Sequence, residues 1–170
     1  MTRFVPPLMD LLRELIAAPS VSSVSPELDQ GNLAVIDLLA GWLEDAGFAV
    51  EVAPIADCPG KANLIATLGS GPGGLVLSGH TDTVPYDQGL WRQDPFRLTE
   101  RDGRLYGLGT SDMKSFLALA IEAARALQAK DLRQPLVILA TADEESSMCG
   151  ARALVEAGRP PGRHAVIGAP

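Results

Sequence analysis

Two short and wholly apolar segments each lead directly into polar residues that can carry chemistry. The first, residues 75–77 (LVL), precedes SGHTD at 78–82, and the second, residues 136–140 (LVILA), precedes TADEE at 141–145. Continuous apolar runs of this length are typical of strands that are buried on both faces of a sheet. Because helical patterns separate the strands, the sequence predicts an α/β fold, a three-layer sandwich around a mostly parallel sheet.

The remaining elements follow from periodicity and turn residues. Helical spacing of apolar residues predicts four helices, at residues 8–16, 33–43, 116–127 and 151–157. Further strands are predicted at residues 48–53, 63–68 and 164–168. Asp102 and Gly103 predict a tight hairpin turn between residues 96–99 and 104–106, since a turn of this type needs positive φ angles. Residues 81–94 have no period and are predicted to form a long loop.

The composition excludes several classes of protein. The chain has 170 residues, of which 46% are hydrophobic, so one core is expected. Its net charge of −7 argues against binding to nucleic acid or to an anionic membrane surface, because either needs a basic patch. No apolar run approaches the roughly 20 residues of a membrane span, and the start lacks a signal-peptide core. A cytoplasmic protein without a membrane partner is expected.

The two cysteines predict neither a disulfide framework nor a cysteine-based metal site. Cys58 and Cys149 are far apart in the sequence, and neither has a second cysteine beside it. This spacing excludes a cysteine-based zinc finger and predicts two semi-buried thiols in a reducing compartment.

Four residues at the ends of predicted elements can bind a metal ion. In open α/β sheets, ligands bind outside the carboxyl ends of the strands, where His80, Glu144 and Glu145 are expected. Asp112 is expected at the start of a helix, behind glycines that let the backbone bend closely. One imidazole with several carboxylates suits zinc, cobalt or manganese better than magnesium, and a carboxylate can bridge two metal ions where an imidazole cannot.

The two adjacent glutamates can take different chemical roles. One of Glu144 and Glu145 can bind a metal ion while the other takes the proton of the attacking water. Asp82, two residues beyond His80, can accept the second imidazole N–H and fix the ring. Each residue also has an ordinary alternative: a strand-end histidine, a helix N-cap for Asp112, and solvated charge for the glutamates. Their joint occurrence at the ends of alternating elements favours the metal site.

Three motifs together resemble a known family. HTDTVP at 80–85, YGLGTSDMK at 106–114 and TADEE at 141–145 are similar to the signature blocks of the co-catalytic zinc aminoacylase and carboxypeptidase family. The resemblance implies that His80 binds one metal ion, Asp112 bridges two and Glu145 binds the second. It also implies that Glu144 is the general base and that Asp82 orients His80. The implied cofactor is Zn²⁺, two ions per complete site, with Co²⁺ as the alternative.

The same resemblance implies a small-molecule substrate. The expected reaction is hydrolysis of an N-acyl amino acid, foremost N2-acetyl-L-ornithine to L-ornithine and acetate in arginine biosynthesis. Succinyl-diaminopimelate, acetylcitrulline and dipeptides remain alternative substrates. Full-length members of the family are expected to be homodimers.

Two departures from the family pattern lead to a second hypothesis. Residues 1–170 are expected to be the amino-terminal part of an incomplete catalytic domain with a zinc exopeptidase-like fold, without the lid and dimerisation domain or a late histidine ligand. Ala169 stands where the family has an acidic ligand, and Ser115 stands where it commonly has glycine. The chain is therefore either part of a dinuclear metallohydrolase or an inactive piece that binds metal weakly. Its incomplete sheet is expected to expose an unpaired edge or apolar surface.

Overall fold

The computed structural model describes residues 4–158 and 162–168. The helices of these residues are α1 (Leu8–Ala17), α2 (Leu33–Asp45), α3 (Lys114–Ala124) and α4 (Cys149–Glu156), with a short 3₁₀ turn at Ala129–Asp131. The strands are β1 (Ala49–Pro54), β2 (Ala62–Leu68), β3 (Leu75–His80), β4 (Thr99–Arg101), β5 (Arg104–Tyr106), β6 (Leu136–Thr141) and β7 (His164–Ile167). No helix within the described ranges is long and apolar enough to cross a membrane.

Five of these strands form the central sheet, in the order β1-β2-β6-β3-β7. β3 pairs in parallel with both β6 and β7, whereas β2 is antiparallel to β1 and to β6. Four of the five strands therefore point in one direction, which confirms the prediction of a mostly parallel sheet. β4 and β5 form a separate hairpin, and its turn residues Asp102 and Gly103 have φ angles of 53° and 67°.

Side-chain alternation along β6 produces the layers. Leu136, Ile138 and Ala140 face the main core, which they share with buried residues of α1, α2 and α3. Val137 and Leu139 face the opposite side, where Leu154 of α4 packs against their cluster. The fold is thus a three-layer arrangement, with most of the apolar burial on the side of α1 to α3.

Predicted and observed boundaries differ by up to about three residues at most elements. β4 begins at Thr99 rather than at residue 96, and α3 spans Lys114–Ala124 rather than 116–127. His80 belongs to β3 rather than following it, because the pairing with β6 continues through Gly79 and His80 to Thr141. The direction of β2 was not predicted.

β7 is the edge strand of the described sheet. It pairs with β3 on one side, and all four of its residues are exposed, including Val166 at 48% and Ile167 at 68%. This exposed apolar edge agrees with the expectation from the sequence. The prediction about Ala169 falls outside the described residues.

Candidate metal centre

The candidate site lies at the carboxyl edge of the sheet, where β3 and β6 end side by side. His80, the last residue of β3, is paired in register with Thr141, the last residue of β6. The segment that follows β6 carries Glu144 and Glu145 to the same edge. Ligand atoms of His80, Glu144 and Glu145 all lie within 4.8 Å of one another. The parallel pairing of β3 and β6 thus brings together residues more than 60 positions apart in the sequence.

His80 is buried, and each of its ring nitrogens faces an acceptor. Nδ1 lies 3.0 Å from the backbone carbonyl oxygen of Asp82 and 3.5 Å from its Oδ1. Nε2 lies 3.0 Å from Oδ1 of Asp112 and 3.9 Å from Oε2 of Glu144. Burial by itself lowers the pKa of His80, but the neighbouring carboxylates, Asp82 foremost, outweigh burial and raise the pKa to about 9. The carboxylates of Asp112 and Glu144 therefore favour a positive charge at the Nε2 side of the ring.

Asp82 positions the glutamate segment as well as the imidazole. Its buried carboxylate accepts hydrogen bonds from the backbone amides of Glu144, at 3.1 Å, and Glu145, at 3.0 Å. Burial opposes the ionised form, but the hydrogen bonds from His80 and these amides hold the pKa of Asp82 below its ordinary value. The sequence predicted only an acceptor for the imidazole. In the structure the shorter contact to Nδ1 is made by the Asp82 backbone carbonyl, and the carboxylate secures two backbone amides besides.

Asp112 reaches His80 from the loop before α3. Gly109, with a φ angle of 88°, turns the chain there, and an added Cβ would lie 3.0 Å from the methyl group of Thr83. The peptide bond between Asp112 and Met113 is cis. No side chain caps the amino terminus of α3, so the N-cap alternative for Asp112 is not realised. Its carboxylate instead contacts the imidazole.

Lys114, next to this loop, is a structural residue whose burial the sequence did not indicate. Its side chain is only 1% exposed, and its Nζ donates to the backbone oxygens of Leu15, at 3.1 Å, and Ala18, at 2.6 Å. These carbonyls lie at the end of α1, where helices leave acceptors unsatisfied. Burial lowers the pKa of Lys114 to about 8, against the opposing charge of Asp82. Lys114 thus fastens α1 to the start of α3.

A buried polar network centred on Asp143 supports the segment that carries Glu144 and Glu145. Asp143 has a φ angle of 60°, and its carboxylate accepts hydrogen bonds from Lys61, Ser147 and, at 2.6 Å, the hydroxyl of Ser22. Lys61 also donates to Asp29 at 2.8 Å. Burial disfavours the Asp143 carboxylate, but Lys61 and the two serines hold its pKa well below the ordinary range. Sequence reasoning missed Lys61 and Ser22, because neither lies near a recognisable motif.

The carboxylates of Asp112, Glu144 and Glu145 lie close together at the open side of the site. Burial, followed by the repulsion of Asp112, raises the pKa of Glu145, while the opposing charge of His80 lowers it. Glu144 is half exposed, with 46% of its side chain accessible. Carboxylates that face one another in this way favour a bound cation.

Sequence comparison then decides the family. A profile of peptidase family M20/M25/M40 matches residues 76–170, more than half of the chain. The chain belongs to peptidase family M20/M25/M40. The matched segment contains all five site residues that the sequence predicts: His80, Asp82, Asp112, Glu144 and Glu145.

Curated proteins that resemble the chain are named acetylornithine deacetylase. The chain is 57% identical over 148 residues to acetylornithine deacetylase of Photorhabdus laumondii, covering 87% of the chain and 38% of that protein. It is 53% identical over 166 residues to acetylornithine deacetylase of Klebsiella pneumoniae, covering 98% of the chain and 43% of that protein. The M20/M25/M40 chain therefore spans about two fifths of the length of the curated relatives it matches.

Solved structures share the fold. Human carnosine dipeptidase 1 superposes with a TM-score of 0.77 at 28% identity, over 94% of the chain and 38% of that protein. Aminopeptidase PepT of Bacillus cereus superposes with a TM-score of 0.69 at 25% identity, over 94% of the chain and 42% of that protein. These likenesses confirm the predicted α/β fold class.

Membership of this metallopeptidase family implies a divalent metal ion, and the described residues fit one. His80 turns Nδ1 to a carbonyl oxygen, which leaves Nε2 facing the carboxylates. Two ligands of one tetrahedral zinc ion lie about 3.4 Å apart when each is about 2.1 Å from the metal. His80 Nε2 and Asp112 Oδ1 are in hydrogen-bond contact at 3.0 Å, so a separation of about 0.4 Å more would let both atoms bind one ion. A cation would also relieve the repulsion among the carboxylates.

Proposed function

We propose that this chain supplies the amino-terminal part of the catalytic centre of an N-acyl amino acid amidohydrolase. The convergence of one buried imidazole and three acidic side chains at one sheet edge carries the proposal. The proposed substrate is N2-acetyl-L-ornithine, in arginine biosynthesis, on the strength of the identity to relatives named acetylornithine deacetylase. A homodimeric, cytoplasmic protein with a lid domain outside residues 1–170 is part of the same proposal.

In this proposal, His80, Asp112 and Glu145 hold the metal, zinc in the first place and cobalt as the alternative. A bound divalent ion supplies Lewis acidity to the acyl oxygen and lowers the pKa of a bound water to about 7. Asp82 keeps these groups in place through His80 and through the amides of Glu144 and Glu145.

Glu144 is the proposed general base. Its carboxylate is half exposed on the open side of the site, so it can meet both water and substrate. It takes a proton from water as the water oxygen bonds to the acyl carbon. It then gives that proton to the departing amine nitrogen as the carbon–nitrogen bond breaks, so that acetate and the free amino acid result.

A specific observation favours the second hypothesis, a piece that binds metal without catalysis. The chain has two histidines, and His164 begins β7 opposite Leu75, which begins β3. His164 therefore lies at the far edge of the sheet from His80 and cannot complete the centre. Among the described residues, the centre has one imidazole for what the family resemblance expects to be two metal ions.

Metal stoichiometry and hydrolysis separate the two hypotheses. The chain is equilibrated with zinc, its bound metal is measured by mass spectrometry, and its hydrolysis of N2-acetyl-L-ornithine is followed by amine release. Near two zinc ions with hydrolysis supports the amidohydrolase, whereas one or none without hydrolysis supports the inactive piece. Succinyl-diaminopimelate and acetylcitrulline, assayed in parallel, test the substrate.

Variants then assign the roles. Glu144→Gln is expected to retain zinc and lose hydrolysis, whereas His80→Ala and Glu145→Gln are expected to lose zinc. Glu44→Gln, an exposed change in α2, is the control and is expected to leave both unchanged. Zinc binding that survives both His80→Ala and Glu145→Gln would place the metal elsewhere.

A further inference from the structure

The two cysteines of the chain meet in the fold, although they lie 91 positions apart in the sequence. Cys58 lies in the turn between β1 and β2, and Cys149 is the first residue of α4. Cys58 packs against the buried cluster that Cys149 forms with Ile55 and Ala142, so the two cysteines are neighbours in the fold. Both are free thiols, and the chain contains no third cysteine.

A surface cleft of about 470 Å³ leads to this pair. Cys58 is half-buried in its wall, and Cys149 is 5% exposed behind it. Arg152, Asp57 and Glu156 also line the cleft, whereas none of the residues assigned to the metal centre does. The cleft is large enough to admit a small peptide-like molecule.

The environment gives the two thiols different roles. Burial, reinforced by the neighbouring Cys58, raises the pKa of Cys149 to about 11, so Cys149 is protonated at neutral pH. Cys58 is the more accessible thiol, and Arg152 lines the same cleft. An oxidant that enters the cleft therefore reaches Cys58 first, and Cys149 lies beside Cys58.

We propose that Cys58 and Cys149 form a thiol-modification site that reacts with small organic disulfides, such as oxidised glutathione, and closes an intramolecular disulfide. The Cys58 thiolate attacks one sulfur of oxidised glutathione, forms a mixed disulfide and releases one glutathione thiolate. The Cys149 sulfur then displaces the second glutathione from Cys58, and its proton leaves with that glutathione. The two protein thiols are oxidised by two electrons, and one oxidised glutathione becomes two glutathione molecules.

Intact-mass measurement of the native chain after incubation with oxidised glutathione tests this site. The expected product is a monomer whose mass is lower by two hydrogens, with no alkylatable thiol, in which digestion yields the Cys58 peptide linked to the Cys149 peptide. Dithiothreitol is expected to restore both thiols. Two free thiols, a persistent glutathione adduct on the unchanged chain, or a disulfide between two chains would each overturn the proposal.

Single variants assign the order of events. Cys149→Ser is expected to stop at a stable glutathione adduct on Cys58, whereas Cys58→Ser is expected to react more than tenfold more slowly than the unchanged chain. Fast adduct formation on Cys149 in Cys58→Ser would contradict the assigned order. Circular dichroism of each variant shows whether it is folded, and the result on the unchanged chain stands without them.

Discussion

The backbone amide of Glu145 donates a 3.0 Å hydrogen bond to the carboxylate of Asp82. The other oxygen of the same carboxylate accepts from the amide of Glu144. Asp82 also contacts His80, through its backbone carbonyl at 3.0 Å and its carboxylate at 3.5 Å, so one buried residue holds both sides of the centre.

Asp82→Asn is expected to weaken zinc binding by about 10–100-fold, the usual effect of removing a group that orients metal ligands. An asparagine side chain offers one acceptor oxygen and would turn its NH₂ group towards one of the two amides. Calorimetric titration with zinc measures the change, and Asp131→Asn, at an exposed position, is the matched control. Equal affinity in the two variants would show that Asp82 does not position the ligands.

Lys61→Met is expected to lower the free energy of unfolding by about 3–5 kcal/mol, because it leaves the buried Asp143 carboxylate without its ion-pair partner. The double variant Lys61→Met with Asp143→Asn is expected to recover part of this loss, since asparagine carries no charge and tolerates the positive φ angle of position 143. Urea unfolding measures all three chains. Lys130→Met, at an exposed lysine, is expected to change little, and a loss of similar size there would contradict the argument.

The sequence was informative where structure follows from local pattern. His80 and Glu144 were placed at one edge because both follow apolar strands, and parallel strands end at the same edge. Lys61 and Ser22 were not found, because they reach Asp143 across 82 and 121 residues and no local pattern marks such a contact. The antiparallel direction of β2 was also beyond prediction, since burial patterns are the same in either direction along a strand.

The pairing of the two cysteines was missed for the same reason. Cys58 and Cys149 have no neighbouring cysteine that would signal a shared site, and their contact depends on how α4 packs beside the β1–β2 turn. The roles of the five candidate site residues stay predictions, although the structure brings all five together.

Two glycine-to-alanine changes are expected to have opposite effects on stability. An added Cβ at Gly150 would lie 2.5 Å from the backbone oxygen of Ala142 and from Oδ1 of Asn63, so Gly150→Ala is expected to cost about 1–3 kcal/mol. Gly41 is exposed within α2 and has open space around it, so Gly41→Ala is expected to stabilise by about 1 kcal/mol. Thermal unfolding of both variants checks the pair. A stabilised Gly150→Ala variant would show that the start of α4 can shift away from β6.

Alkylation of Cys149 is expected to depend steeply on pH. Its pKa of about 11 means that the reactive thiolate increases roughly tenfold for each pH unit between 7 and 10. At pH 7 the folded Cys58→Ser variant is expected to react at least about tenfold more slowly than the same variant in urea, because burial, the largest cause of the raised pKa, is lost on unfolding. Iodoacetamide kinetics followed by mass spectrometry measure both rates. Similar rates in the folded and unfolded states would refute the burial of this thiol.

With His80 as the proposed metal ligand, its pairing with Thr141 would make metal binding a reporter of strand register. Side chains alternate between the faces of a sheet, so a slip of one residue between β3 and β6 would turn His80 away from the glutamates. Every residue would change its partner, but the number of backbone pairs would fall by only one. A slipped chain would keep nearly the same circular dichroism and the same mass. On the proposed zinc assignment it would differ from the native chain in failing to retain zinc, so a zinc titration would count the molecules whose two central strands are correctly aligned.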